Sequence, residues 1–303
     1  MLVSYLTAHK GRGIHLKRCI SSVQADMLYS SITDYEHLVY LDGCDPDHVL
    51  YESINKKHVQ FFYGTHNCGK AYCVNRLIKY ARGKYLFFLD SDDWNVMGRT
   101  SNQIELLNQA KGSVIGSNFL YCNNTKIFTD SNYPLNNLDI KLEFWRYPFL
   151  LYSSMCVRSQ ELIDKNIFFS EELRGGIDYE FYSRLLQEFF VSNHNEPLVC
   201  YRIGNKAGIT SKPATRAIQL SVHKSVMANI LGLSLVRDAQ LIDLLFSIIL
   251  GHNISREDKL IVDLLSDFIY RIKCGKIAKT YFPNELSKEF VASYFMGLFG
   301  FDL

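Results

Sequence analysis

The sequence from residue 84 to residue 93 reads KYLFFLDSDD, and this stretch decides the fold class. Its apolar part, YLFFL, is hydrophobic at every position, which is typical of a central strand buried on both faces of a parallel sheet. Asp90, Ser91 and Asp92 follow directly, and open α/β sheets bind their ligands beyond the carboxyl ends of such strands. Because alternate side chains of an extended segment point the same way, we expect the carboxylates of Asp90 and Asp92 to converge.

Two interpretations of these acidic residues are open at this level. Converging carboxylates would repel a bound diphosphate, so their arrangement favours a hard divalent cation, Mg²⁺ or Mn²⁺, between them. The letters DSDD are also frequent in turns and helix caps, because Asp and Ser are favoured at both. The surrounding sequence has to decide between a metal site and a simple turn.

Strand and helix patterns alternate on both sides of this stretch, which predicts a mostly parallel sheet with helices on both faces. The apolar runs predicted to be strands are residues 3–7, 35–41, 59–63, 84–89, 114–121, 151–157 and 198–203. Helical spacing is found at residues 16–23, 74–81 (stopping at Gly83), 104–107 and 179–189. After residue 213 three amphipathic stripes predict a helical C-terminal region, at residues 241–249, 260–268 and 291–299.

Composition excludes several classes of protein. The 303 residues are 48% hydrophobic and 21% charged, which excludes a disordered, collagen-like or disulfide-framework chain. The formal charge of +2 supplies no electrostatic argument for a nucleic-acid partner. Eight cysteines without any CxxC pair fit reduced thiols better than disulfides or zinc.

The beginning of the chain lacks the basic region and the apolar stretch of a secretory signal, and no uncharged apolar run reaches about 18 residues. We therefore expect a cytoplasmic protein without a transmembrane segment. The stripe at 291–299 leaves peripheral contact with a membrane surface open, although packing onto the protein's own core is the default for such a stripe.

Short motifs on both sides of the central strand occur in a definite order. They are LKRCISSV at 16–23, LDGC at 41–44, NCG at 67–69, Asn75, ARG at 81–83, GGIDYE at 175–180 with Arg184, and YR at 201–202. Each motif alone is weak. In this order and spacing, however, the chain resembles the family 2 glycosyltransferases of the GT-A fold over about residues 2–211.

The resemblance implies a GT-A type α/β fold, with a Rossmann-like mixed, mostly parallel sheet and helices on both faces, plus a C-terminal all-helical region. A GT-A glycosyltransferase domain is expected over residues 1–211, with a nucleotide-binding half at about 1–94 and an acceptor half at about 95–211. A helical C-terminal domain is expected over residues 213–303.

The resemblance also implies roles for single residues. Asp178 is expected to be the general base, and Asp92 with Asp90 to hold Mn²⁺ or Mg²⁺. The residues expected to bind the nucleotide are Thr7, His9, Arg12, Asp42, Asn67, Gly69, Lys70, Asn75, Asp90, Ser91 and Arg202. Leu41 and Ile177 replace acids that are usual in the family, so Asp42 and Asp178 are each the single acid of their motif.

The predicted function is metal-dependent, inverting transfer of a sugar from a nucleoside-diphosphate sugar to an acceptor hydroxyl. A metal stabilises the charge on the departing diphosphate, and an ionised Asp accepts the proton of the incoming hydroxyl. The family favours a UDP-sugar donor and a glycan acceptor. Its processive members carry membrane spans and a Q-x-x-R-W motif, which this chain lacks, so a non-processive enzyme is expected.

Several alternatives remain at the sequence level. A nucleotidyltransferase of similar fold is one, and a catalytically inactive GT-A binding module, motivated by the replaced acids, is another. The acceptor could instead be a lipid, a protein or a modified DNA base. Asp178 could simply favour the positive end of a helix, and the helical region could bind acceptor or form a homo-oligomer.

Overall fold

The computed structural model describes residues 2–11, 15–43, 55–109, 113–123, 126–203, 213–250, 252, 258–274, 276 and 287–299. The strands are β1 (Val3–His9), β2 (Tyr35–Asp42), β3 (Val59–Gly64), β4 (Tyr85–Phe88), β5 (Trp94–Asn95), β6 (Ser113–Cys122), β7 (Ile127–Asp130), β8 (Cys156–Arg158) and β9 (Phe190–Arg202). The helices are α1 (Leu16–Tyr29), α2 (Lys70–Tyr80), α3 (Arg99–Gln109), α4 (Asn137–Glu143), α5 (Ser159–Asp164), α6 (Ile177–Glu188), α7 (Pro213–Ile230), α8 (Ala239–Ile249), α9 (Lys259–Lys273) and α10 (Lys288–Phe299).

These strands form one mixed sheet in the order β3-β2-β1-β4-β8-β6-β9-β5, with β7 paired to β6. The first four strands in this order are parallel to one another, so their carboxyl ends meet at one edge of the sheet. Strand β8 then runs antiparallel to β4 and to β6, whereas β6 and β9 are parallel. The expected α/β fold is confirmed, and β4 is central, as its continuous apolar run predicts.

Side-chain alternation in the central strands explains why helices cover both faces. Tyr5 and Phe87 pack in a cluster with residues of α1 and α3. Leu6 and Phe88, their chain neighbours, pack in a second cluster with residues of α2. All four side chains are completely buried, because each face of the sheet is covered by helices.

Three local predictions are wrong. Helix α2 ends at Tyr80, before Gly83, and a Cβ at Gly83 would lie 2.5 Å from the backbone nitrogen of Ser4, so this glycine serves the contact with β1. Residues 152–154 form a 3₁₀ turn rather than part of a strand. Strand β9 begins at residue 190, well before the predicted start at residue 198. The prediction missed its first half because the middle of the strand is polar and pairs irregularly with β6, which hides the strand pattern.

Helices α4, α5 and α7 are absent from the sequence prediction. The first two are short, with seven and six residues, and so show too few turns for a periodic pattern. Helix α7 has 18 residues but no marked apolar stripe.

The C-terminal helices share a buried cluster with the rest of the chain. The rings of Trp145 and Phe295 lie 5.3 Å apart, and the Tyr294 hydroxyl donates a hydrogen bond to Glu143. Val291, Phe295 and Phe299 are almost completely buried, so this stripe faces the protein's own core and is not available to a membrane. The division between residues 211 and 213 stays a prediction.

Two further expectations concern membranes and thiols. Among the helices of the described residues, none has the length and apolar character needed to cross a bilayer. The seven described cysteines are all free thiols.

Candidate active site

The candidate site lies at the edge of the sheet where the parallel strands end. Strand β1 ends at His9 and β2 at Asp42, while the acidic stretch follows β4. Helix α2 begins near this edge with Lys70, and Asp178 lies in the first turn of α6. The site is therefore assembled from the ends of strands and the beginnings of helices, where backbone direction brings polar groups together.

Asp42 shapes the loop that leads into α2. Its two carboxylate oxygens accept hydrogen bonds from the backbone nitrogens of Cys68 and Gly69, at 2.6 and 3.0 Å. Gly69 has a φ of +96°, and a Cβ there would lie 2.8 Å from the guanidinium of Arg174. Only glycine suits this position, and Asp42 holds the loop in that form. The expected contact of Asp42 with a nucleotide base stays a prediction.

Lys70 joins the expected base to the acidic stretch. Its ammonium group lies 3.0 Å from a carboxylate oxygen of Asp90 and 3.4 Å from one of Asp178. The same ammonium lies 3.4 Å from the centre of the Tyr152 ring, which adds a cation–π contact. One cation therefore holds two carboxylates from distant parts of the chain together.

The electrostatics of this group follow from burial and crowding. The pKa of Asp90 is raised to about 6. Burial is the largest cause, the Lys70 ammonium opposes it, and the carboxylates of Asp178 and Asp92 add to it. Burial alone would lower the pKa of Lys70, but Asp178 and Asp90 outweigh burial and raise it. Lys70 therefore stays charged at neutral pH.

The acidic stretch forms a turn, so the expectation of an extended segment is wrong. The backbone nitrogen of Asp93 donates to the carbonyl of Asp90, at 3.1 Å. Asp90 consequently faces Lys70, whereas Asp92 meets the guanidinium of Arg202 at 2.6 Å. The two carboxylates still lie close enough for Asp92 to raise the pKa of Asp90, but each has its own cation.

Hydrogen bonds of Asp93 and Ser153 stabilise this turn. The Ser153 hydroxyl donates to Asp93 and accepts from the backbone nitrogen of Asp90. Asp93 also accepts from the backbone nitrogen of Arg202, at 2.8 Å. Burial, together with the charges of Asp90 and Asp92, raises the pKa of Asp93 well above its usual range. No sequence motif singled out Ser153, because its role depends on a contact 60 residues away in the chain.

The donor chemistry of the turn suits a hard divalent cation in part. Asp90 and Asp92 offer only oxygen atoms, and their side chains are 29% and 38% exposed, so an ion can reach them. Within the described ranges, no three His, Cys, Asp or Glu groups are arranged to hold a metal ion. The two Asp side chains supply part of the ligand set of such an ion, and the other ligands have to come from outside the described residues.

Two residues expected to bind the nucleotide are buried and make hydrogen bonds inside the fold. Thr7 has no exposed surface, and its hydroxyl donates to the Leu89 carbonyl while it contacts His37. Asn75 is buried, and its amide exchanges hydrogen bonds with both backbone groups of Phe169. Their side chains are used inside the fold, and their contact with a nucleotide stays a prediction.

The other expected nucleotide contacts are placed as follows. The ring of His9 meets the Ser91 hydroxyl at 2.9 Å beside the acidic turn, and Asn67 is exposed on the loop before α2. Gly69 ends that loop and Lys70 begins α2. Arg12 lies outside the described residues.

Several buried polar atoms around the site make no hydrogen bond within the part of the chain that the structure describes. They are Oδ1 of Asp178, the hydroxyls of Tyr152 and Tyr182, and Nε of Arg202. An unsatisfied buried polar group costs about 1–3 kcal/mol, so native proteins keep few of them, and those few need an explanation. Tyr152 and Tyr182 carry no recognisable motif and were not expected at the site.

Comparison with known proteins identifies the family. The family model described as "Glycosyl transferase family 2" matches residues 12–166, just over half of the chain. This chain belongs to glycosyl transferase family 2. The match covers both the loop before α2 and the acidic turn after β4, and it includes the motifs at 16–23, 41–44, 67–69, 75 and 81–83. The motifs at 175–184 and 201–202 lie beyond the matched residues.

Individual relatives agree with this family 2 assignment. An uncharacterized glycosyltransferase of Methanocaldococcus jannaschii is 26% identical over 210 residues, which are 65% of this chain and 69% of that protein. The crystal structure of S. aureus TarS 1-349 in complex with UDP superposes with a TM-score of 0.58 at 16% identity, covering 89% of this chain and 80% of that one. The complex of TarS 1-349 with UDP-GlcNAc covers 98% and 92%, with the same TM-score and identity.

This family 2 member is therefore a glycosyltransferase with a GT-A fold and additional C-terminal helices. The chain spans 49% of the longer TarS chain, whose structure also superposes with a TM-score of 0.58. Family membership sets aside the nucleotidyltransferase alternative.

Proposed function

We propose that this chain is a metal-dependent, inverting, non-processive glycosyltransferase that uses a nucleoside-diphosphate sugar. The observation that carries the proposal is the contact of Lys70 with both Asp178 and Asp90. Asp178 belongs to the GGIDYE motif, where one residue separates it from the glycine pair. The contact with Lys70 brings Asp178 next to the acids that follow the central strand. A general base and an anion-binding region have to be neighbours in such a transfer.

A UDP-sugar is the proposed donor. The support comes from TarS, which has been crystallised with UDP and with UDP-GlcNAc and shares the fold of this chain. The loop from Asn67 to Lys70, held by Asp42, is the proposed contact for the nucleotide. Lys70 and Arg202 contribute positive charge at the edge where the diphosphate would lie.

Asp178 is the proposed general base. Its Oδ1 atom makes no hydrogen bond within the described residues, which leaves one carboxylate oxygen unused by the fold. The Lys70 ammonium lies 3.4 Å from Oδ2 and holds this carboxylate beside Asp90. One base and a direct displacement invert the configuration of the sugar carbon.

Asp92 and Asp90 would hold the divalent cation, Mn²⁺ or Mg²⁺, together with oxygen atoms of the donor. When bound, the cation supplies positive charge for the departing diphosphate. The remaining predictions stay proposals as well: a glycan acceptor, the nucleotide-binding and acceptor halves of a domain over 1–211, a helical domain over 213–303, a homo-oligomer and a cytoplasmic location.

Release of UDP from a panel of UDP-sugars, with Mn²⁺ or with EDTA, tests the proposal. We expect metal-dependent turnover of at least one donor and a loss of about 100-fold or more in Asp92→Asn. The exposed Asp263, on α9, supplies the control Asp263→Asn, which should keep wild-type turnover. Full activity of Asp92→Asn, or full activity in EDTA, would contradict the metal role.

Thermal melting separates an enzyme from an inactive binding module. Binding to the folded state raises its stability by about 2.7 kcal/mol at a hundredfold excess over Kd. A UDP-dependent rise in Tm without turnover of any donor would favour the binding module. Absence of both would contradict the proposed donor class.

A further inference from the structure

The helix that carries Asp178 begins against a helix of the C-terminal region. Gly176, at the start of α6, has a φ of +68°. A Cβ at this position would lie 2.9 Å from Cβ of Val222 and 3.0 Å from its Cγ1. Val222, on α7, therefore occupies the space that a side chain would need, and only glycine allows the two helices to lie this close. The contact falls two residues before Asp178.

The residue after Asp178 meets the same helix. The hydroxyl of Tyr179 donates to the carbonyl of Phe144 at 2.6 Å and lies 3.1 Å from that of Trp145. Its ring stacks on the ring of Phe144, with the centres 4.8 Å apart, and the ring of His223 meets it edge to face at 4.4 Å. His223 lies on α7, directly after Val222. Helix α7 therefore contacts α6 on both sides of Asp178 in the chain.

Helix α7 is itself held by its neighbours in the C-terminal region. The ring of His223 also contacts Phe246 of α8, with the centres 5.5 Å apart, and Lys224 forms an ion pair with Asp243 of α8. Met227, one turn further along α7, has no exposed surface. The contact with α6 is thus made by a helix whose own position is fixed by packing.

The carboxylate of Asp178 depends on the placement of its helix. Its ion pair with Lys70 is 3.4 Å long, and 38% of the side chain is exposed. A side chain in these conditions is placed mainly by its backbone, which here is the first turn of α6. A general base has to lie about 2.6–3.2 Å from the atom whose proton it accepts. A displacement of about 1 Å can cost about 100-fold in rate.

His223 takes part in this contact as a neutral ring. Its pKa is lowered to about 4; burial is the largest cause, and the backbone of Arg146 and Trp145 opposes it. The imidazole therefore carries no charge at neutral pH, so its effect on Asp178 comes from packing. Another aromatic ring of similar size should be able to replace it.

We infer that Val222 and His223 of α7 are positioning residues for Asp178. They place the first turn of α6 so that the carboxylate of Asp178 can reach the incoming hydroxyl. The inference rests on the proposed function, in which Asp178 is the general base. It gives the C-terminal helices a part in the transfer itself, because α7 belongs to them.

Hydrogen exchange tests the contact without reference to activity. The backbone nitrogen of Glu180 donates to the carbonyl of Gly176 at 3.1 Å, so its amide reports on the first turn of α6. We expect His223→Ala to raise the exchange rate of this amide about tenfold or more, and Val222→Ala to raise it less. His223→Phe, which keeps a ring, should stay within about threefold of the wild type. The control Phe299→Ala removes a buried ring between α9 and α10 and should leave this rate unchanged.

A double-mutant cycle tests whether the effect passes through Asp178. With a UDP-sugar that the wild type turns over, we expect His223→Ala to lower kcat for UDP release about tenfold or more. The donor KM and the UDP-dependent rise in Tm should stay unchanged. In an Asp178→Asn background the same substitution should change kcat less than about twofold, because its effect requires the base. His223→Phe should recover most of the loss, and Phe299→Ala should keep the wild-type kcat.

The outcomes separate the two proposals. Absence of UDP release by the wild-type enzyme with every donor contradicts the proposed function, and the inference falls with it. UDP release with an unchanged kcat in His223→Ala overturns the positioning role alone, and faster exchange without a loss of kcat would make the contact purely structural. Equal losses of kcat from His223→Ala in both backgrounds would overturn the route through Asp178. Circular dichroism verifies that each variant is folded.

Discussion

Two polar clusters of this protein use similar residues in opposite ways. The first, the buried network, lies between α1, β5 and α3 and consists of Tyr5, Asp26, Asn95, Arg99 and Thr100. Asp26 accepts from the backbone nitrogens of Gly98 and Thr100, at 2.8 and 3.1 Å, and from the Thr100 hydroxyl. Arg99 donates to the side chain of Asn95 and to the carbonyl of Phe88. Both charged side chains are completely buried.

The second cluster is the candidate site, with Lys70, Asp90, Asp178, Tyr152 and Tyr182. Here Asp178 has one oxygen on Lys70 and the other without a hydrogen bond in the described part of the chain. The hydroxyls of Tyr152 and Tyr182 likewise make no hydrogen bond in the described part of the chain. The site is also more open, since the side chain of Asp178 is 38% exposed.

The difference separates stability from function. A buried charge surrounded by donors stabilises one arrangement of the fold, because removal of any partner leaves an unsatisfied group. A site whose polar atoms are not all used has a higher free energy, which a substrate can lower when it supplies the missing partners. Substitutions in the two clusters should accordingly affect different measurements.

The largest effect is expected for Asp178→Asn. Loss of a general base should reduce kcat/KM about 10²–10⁴-fold, while the free energy of unfolding changes by less than about 1 kcal/mol because the Lys70 contact is partly exposed. Initial rates of UDP release and urea unfolding measure the two quantities. Glu180→Gln, in the same helical turn but paired with Arg184, is the matched control. Equal losses in both variants would contradict the role of Asp178.

The next effect concerns the buried network. Asp26→Asn replaces an oxygen acceptor by an amide that faces other donors, so we expect the free energy of unfolding to fall by about 3 kcal/mol. Urea unfolding measures it, and the exposed Asp263→Asn should stay within about 0.5 kcal/mol of the wild type. A loss below about 1 kcal/mol in Asp26→Asn would remove the contrast between the two clusters.

Acid should destabilise the fold through His37, which is completely buried against Thr7. Burial lowers the pKa of His37 to about 3, whereas an unfolded histidine titrates near 6.5. Below pH 6.5 the unfolded chain therefore binds a proton that the folded chain does not, and the free energy of unfolding falls as pH falls. The fall should be shallower in His37→Gln by up to about 1.4 kcal/mol per pH unit, measured by urea unfolding between pH 7 and pH 4.5. Parallel curves for the two proteins would refute this assignment.

The smallest effect compares two buried hydroxyls. Tyr5→Phe removes a hydroxyl that lies 2.7 Å from Thr100 and accepts from Asn95 at 2.8 Å, so unfolding should become easier by about 1 kcal/mol. Tyr182→Phe removes a hydroxyl without such a partner, so stability should stay constant or rise. Calorimetry of both variants measures the difference. Equal losses would mean that the Tyr182 hydroxyl is satisfied in solution.

Prediction from sequence succeeded where short-range pattern and chain order carry the information. The apolar run before Asp90 marks the central strand, because burial on both faces requires hydrophobic residues at every position. The parallel edge strands, the helices between them and the C-terminal helices follow from similar periodic patterns.

Contacts between residues far apart in the chain could not be predicted in the same way. Thr7 and Asn75 were expected beside the nucleotide, and their hydrogen bonds to Leu89 and to Phe169, 82 and 94 residues away, were not foreseen. Residues 90–92 were expected to continue the extended strand but form a turn. Side-chain alternation describes a strand and does not indicate where the strand ends. Tyr152 and Ser153 come from a segment without a motif, so no pattern could reveal them.

The family, the α/β architecture and the residue types available for chemistry could be predicted from the sequence, because these depend on local pattern and on the order of motifs along the chain. The tertiary structure alone decided which acids are neighbours, which of them have a cation and which polar atoms remain without a partner. Those properties depend on distances between side chains that are far apart in sequence: Lys70 meets Asp178 across 108 residues, and Arg202 meets Asp92 across 110. Burial and charge act through these distances, so only the folded chain makes the site.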